Sequence, residues 1–160
     1  MNHRGALPVV AVATVLTGAS LLFAGSTAAA GAGGDPGRHG TTLRFDVVFS
    51  PFSYTDLGAP GPSAADLIVF NDKLLEQGHQ VGHEVGNCVV VDSSGLANCT
   101  AVLTLDGRGS ITYALENAPP PRKTLVITGG SGSYRSAGGE GVLVENGNGT
   151  GTLTLSVDEP

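Results

Sequence analysis

The chain has no tryptophan and one methionine, and its aromatic residues make up only 5% of the sequence. Any core must therefore be filled mostly by aliphatic side chains. Charge is also sparse at 14%, with 8 Lys and Arg against 14 Asp and Glu. No basic stripe exists, which argues against nucleic acid and against an anionic membrane as partners. No window sustains a helical period, which argues against an α or α/β domain. No stretch beyond the first thirty residues is long and apolar enough to span a bilayer. The glycine-rich stretch 125–141, LVITGGSGSYRSAGGEG, lacks the signatures of a phosphate cradle. No lysine followed by Ser or Thr comes after its glycines, Arg135 stands where a dinucleotide fingerprint needs glycine, and no long helix follows.

Glycine itself is abundant, with 25 residues. The first thirty residues are of a different kind from the rest. Arg4 opens the chain, residues 6–23 are an apolar run, and Ala28, Ala29 and Ala30 follow. That order reads as a secretory signal peptide over 1–30, with a glycine-rich flexible leader over 31–41 and the folded domain over 42–160. Secretion makes the two cysteines, Cys88 and Cys99, a natural disulfide pair.

From residue 42 the signals alternate between strand and turn. Strands are expected at 42–50, 66–75, 80–92, 96–105, 110–115, 123–128, 141–145 and 150–157, with a proline-rich loop at 51–65. Asp106-Gly107 and the Asn-Gly repeats at 146–149 mark hairpins. The glycine-rich stretch then becomes a compact turn at a rim. Eight strands with mostly short connections must be antiparallel neighbours. Closing them into an eight-stranded antiparallel β-barrel removes the sheet edges and leaves a centre wide enough for side chains or one small ligand. In the first strand, alternation alone buries Leu43, Phe45, Val47 and Phe49 and exposes Arg44, Asp46 and Val48.

Three stretches, DLIVFNDKL (66–74), VGHEVGNCVVVD (81–92) and the glycine-rich piece, resemble the allene oxide cyclase barrel family, whose barrel is shared by dirigent proteins. The resemblance implies a barrel with an apolar cavity, commonly a trimer. It carries the family's cavity glutamate onto Asp46 and a second cavity position onto Asp72. It places Val48 and Cys88 on the cavity wall. Strand parity adds Ile68 and Phe70 to the face that holds Asp72. A carboxyl in an apolar cavity has a raised pKa and can open an epoxide or move a proton. Asp46 and Asp72 are thus the expected catalytic pair, and Val48, Ile68, Phe70 and Cys88 the expected ligand contacts. This register turns Asp46 inward and the apolar row of strand one outward, against the alternation. Both hold only if something covers that row, either the 51–65 loop folded back or a neighbouring subunit. The second is preferred, so a homo-oligomer, most simply a trimer with Phe45 and Val47 at or near its interface, is expected.

Cys88 and Cys99 flank the Ser93-Ser94 turn symmetrically, which sets them opposite each other within disulfide range. The competing reading is a free thiol in the cavity. His79 and His83 share a strand face with no clear third ligand, so they read as solvated rather than metal-binding. Tyr113, Tyr134 and Phe52 read as packing groups. Asn98 and Asn148 match the glycosylation pattern. The functional reading is an isomerase or cyclase that folds a hydrophobic unsaturated molecule, with no cofactor required. The alternatives are a dirigent-like protein orienting reactive partners and a non-catalytic carrier.

Overall fold

The structure is a computed structural model and describes residues 40–117 and 121–158. The expected signal peptide and most of the leader lie outside the described residues. Among the described residues nine strands form one antiparallel sheet: β1 (Gly40–Val48), β2 (Ser53–Thr55), β3 (Leu67–Glu76), β4 (His79–Val90), β5 (Ala97–Leu105), β6 (Gly109–Asn117), β7 (Arg122–Gly132), β8 (Gly138–Glu145) and β9 (Thr150–Asp158). Their order is β1-β9-β8-β7-β6-β5-β4-β3, and β1 also pairs with β3. That second pairing closes an eight-stranded barrel. The short β2 pairs with the far part of β3, opposite Leu67, Ile68 and Val69. Gly40 and Thr41, expected in the leader, already belong to β1.

Alternation decides which side chains fill the barrel. Phe45, Val47, Leu74, Leu103, Ile111, Leu153 and Leu155 are all at most 1% exposed. They come from five strands and meet in one cluster. Val69, Val85, Val102 and Val126, of opposite parity, face outward. The cluster occupies the half of the barrel nearest Gly40 and Asp158. Over it lies Arg108 from the β5–β6 turn, 5.9 Å from the centre of the Phe45 ring and paired with Glu76. This half is a packed floor.

Strand one settles the conflict in the sequence. Phe45 and Val47 are buried in the barrel, whereas Asp46 is exposed and Val48 is 40% exposed. The resemblance-based register is corrected: Asp46 and Val48 are on the outer face. Four apolar side chains of one parity found the interior cheaper than any external cover. The expectation that Phe45 and Val47 form a subunit interface falls with it.

The glycine-rich stretch is also corrected. β7 continues through Gly129, Gly130 and Gly132, and only residues 133–137 turn. A side chain at Gly130 would come within 2.5 Å of the Ser110 and Tyr134 carbonyl oxygens, so this strand passes its neighbours too closely for anything but glycine. A bulge lies opposite: Thr112 pairs with Gly129 but Tyr113 with Ile127.

Candidate active site

The second half of the barrel is not filled. Two rings of its wall lie over bare glycine backbone, Phe49 over Gly151 on β9 and Phe70 over Gly86 on β4. The space is a cavity of about 750 Å³. Its mouth lies where β1 ends and where the β8–β9 hairpin turns, with Pro51, Phe52, Asn117, Gly147 and Gly149 around it. Its walls are Phe49, Ile68, Phe70, Leu115, Leu143, the two cysteines and Tyr113. Phe70 lies across the bare backbone of Gly86, where a Cβ would meet its ring at 2.3 Å.

Against the floor of this cavity stand two carboxyls. Asp72 on β3 and Glu84 on β4 are register partners. They are 6% and 4% exposed. Asp72 Oδ1 accepts hydrogen bonds from the Ser50 backbone N–H at 2.7 Å and from the Ser50 hydroxyl at 3.1 Å. These bonds fix the segment that leaves β1 against β3. Glu84 Oε1 accepts a hydrogen bond from the Tyr113 hydroxyl. Burial raises the Glu84 pKa to about 7; the tyrosine bond opposes the rise and the Asp72 charge adds to it. Burial also raises Asp72, against the two Ser50 bonds. Tyr113 is held well above its ordinary value, first by burial and then by the Glu84 charge beside it.

A half-buried ion pair joins the wall nearer the mouth. Lys123 on β7, 5% exposed, donates to Glu145 on β8. Cys88 and Cys99 are register partners on β4 and β5, bonded with a Cα–Cα distance of 4.0 Å. The free-thiol alternative is excluded, and the bonded pair forms part of the cavity wall. Away from the cavity, Asp66 organises the loop between β2 and β3. It is fully buried and accepts hydrogen bonds from the Tyr54 hydroxyl, the Leu57 and Ser63 N–H groups and the Ser63 hydroxyl. These bonds hold its pKa below the ordinary value, that of Tyr54 foremost.

Of the six residues the sequence singled out for the site, the structure brings Ile68, Phe70, Asp72 and Cys88 to the cavity and leaves Asp46 and Val48 outside it. Glu84, Tyr113, Lys123 and Glu145 were missed. Glu84 had a legible signal: it shares parity with Cys88 on one strand and stands between Gly82 and Gly86 on the same face. Tyr113 was read as packing, yet its hydroxyl is part of the carboxyl pair's hydrogen bonding. His79 is exposed and His83 half-buried on β4, and Asn98 is exposed on β5.

No family model and no curated protein matches the chain. Solved structures do. Pyocyanin demethylase is 28% identical with a TM-score of 0.67, covering 73% of this chain and 99% of that one. The Diels-Alderase AbmU from Streptomyces koyangensis is 14% identical with a TM-score of 0.59, covering 79% and 71%. A pterocarpan synthase dirigent protein is 17% identical with a TM-score of 0.54, covering 76% and 87%. The chain thus shares its barrel fold with dirigent proteins and with cyclase barrels.

Proposed function

We propose that this barrel is an exported isomerase or cyclase, similar to the allene oxide cyclase-like barrels, that folds a hydrophobic unsaturated molecule in its cavity. The observation that carries the reading is Glu84, a buried carboxyl on the cavity floor with a pKa of about 7. Such a group is present in both protonation states at neutral pH, so it can take a proton from a ligand or give one. Tyr113 orients it, and burial, helped by the Asp72 charge, keeps its pKa up. The proton-moving role that the resemblance gave to Asp46 falls on Glu84, with Asp72 retained. The apolar walls would hold the ligand near a ring-closing conformer, an orientation effect.

The test begins with native mass spectrometry to identify any co-purified molecule, followed by turnover of that molecule and of a panel of polyunsaturated epoxides. Glu84→Gln should lower turnover by about 100-fold or more. Binding of the neutral dye N-phenyl-1-naphthylamine should survive. Unchanged turnover in that variant would remove Glu84 from the chemistry and favour the orienting, dirigent-like reading. Dye binding with no turnover of any candidate by the wild type would favour a carrier.

A second reading is supported by the similarity to pyocyanin demethylase, which extends over nearly all of that chain. The cavity presents four aromatic rings, Phe49, Phe52, Phe70 and Tyr113, suited to a flat ring system. Incubation with pyocyanin, followed by its absorption, separates demethylation from cyclisation.

Export by the 1–30 segment is part of the proposal, and the disulfide supports it because such bonds persist in oxidising compartments. Assembly into a homo-oligomer, most simply a trimer, is proposed on a new face. Val85 and Val102 are register partners on the outside of β4 and β5, with exposed Val69 and Val89 nearby on β3 and β4. Four exposed valines gathered on one face, with Asn87 among them, suit an interaction surface.

A further inference from the structure

The ionisable groups on the cavity wall are few, and their balance is uneven. Lys123 and Glu145 bond to each other, so their charges cancel locally. Asp72 and Glu84 have no basic partner: Ser50 serves one and Tyr113 the other. Each uses one oxygen for these bonds. The second oxygen of each carboxyl has no partner among the described residues. No fully enclosed side-chain oxygen or nitrogen among the described residues goes unpartnered. The two free oxygens therefore open on the cavity, on side chains more than nine-tenths buried.

Negative charge in an apolar enclosure is unfavourable unless something compensates it. A metal ion is a poor candidate, because no group of three or more His, Cys, Asp or Glu side chains among the described residues could hold one. The surroundings suit a different cation. Tyr113 lies beside the carboxyls, and Phe49 and Phe70 share the wall. Aromatic faces attract a delocalised organic cation, and a broad one also buries apolar area.

We propose that the cavity selects a flat, apolar organic cation, whose positive charge sits against Asp72 and Glu84 and whose rings lie against Phe49 and Phe70. The inference rests on the cavity being the binding site, as argued above, and adds the charge of what it takes. Lys123 contributes no repulsion beyond its own pair, because Glu145 neutralises it.

Two probes of almost the same shape make the test. 10-Methylacridinium is cationic and 9-methylanthracene is neutral, and both fluoresce. Titration of the full barrel at pH 8 should show the cation binding about tenfold more tightly or better. Asp72→Asn with Glu84→Gln should erase that preference while both probes still bind. Lys123→Met with Glu145→Gln should leave the preference in place. Equal or tighter binding of 9-methylanthracene by the wild-type protein would overturn the charge selection while leaving the cavity as a binding site. Failure of both probes and of N-phenyl-1-naphthylamine to bind would overturn the cavity itself. The wild-type comparison requires no variant to fold.

Discussion

At the scale of the residue, Glu84 links stability to pH. Its folded pKa of about 7 lies above the ordinary 4.5 because burial penalises the charged form. The folded chain therefore holds the proton more tightly than the unfolded chain. Below pH 4.5 the group is protonated in both states and costs nothing. Between about 4.5 and 7 the penalty grows, and above 7 it is complete. Glu84→Gln should accordingly raise stability by about 3 kcal/mol at pH 8 and by little at pH 4, measured by urea denaturation. An unchanged pH profile would mean that the carboxyl is solvated. Residue-scale reading of the sequence was least reliable here. The resemblance places Asp72 in the cavity, and parity carries Ile68 and Phe70 with it, because the three alternate on one strand. Residue type alone does not tell a charged side chain inside the barrel from one outside, and the inward placing of Asp46 rests on resemblance alone. Its own neighbours, Phe45 and Val47, carried the right answer, since two large apolar side chains outweigh one carboxylate in choosing the buried face.

At the scale of the element, the hairpin of β4 and β5 was the most legible piece. Its turn fixes the register, and the register brings Cys88 onto Cys99. Thiol labelling of the denatured, unreduced protein should find no free cysteine. The Cys88→Ala, Cys99→Ala double variant should lose about 2–4 kcal/mol, read from denaturant midpoints. The proline-rich segment was less legible: β2 is three residues long and has no alternating core face of its own. What orders it is Asp66, through bonds that involve chain positions 54, 57 and 63. Because those bonds depress the Asp66 pKa, their contribution is present above the unfolded value and is lost as pH falls through the folded one. Asp66→Ala should make residues 56–63 the first site of limited proteolysis at neutral pH. Wild-type protein should acquire the same sensitivity only in acid.

At the scale of the whole molecule, the closed barrel followed from strand count, short connections and the need to remove edges. The division into packed floor and open cavity did not, because it depends on how inward side chains from several strands fill the space between them. The outer valines set up the last prediction. Val85→Asp should convert the assembled particle to single chains in sedimentation, and cavity binding of N-phenyl-1-naphthylamine should persist. Wild-type protein that sediments as a single chain at micromolar concentration would remove the oligomer.

The pairing of β1 with β9 runs in register from Gly40 opposite Asp158 to Val48 opposite Thr150. The first and last described strand ends therefore meet at the floor, at the opposite pole from the cavity mouth. The barrel can then be treated as a ring whose numbering has an arbitrary origin. A short bridge from Asp158 to Gly40 would complete the ring, and cutting the exposed turn at Ser93-Ser94 would supply new ends. Such a circular permutant keeps every strand neighbour and should fold, since chain ends that lie close together are what permutation requires. By the same geometry, a protein fused after Asp158 would hang from the floor and leave the route into the cavity clear.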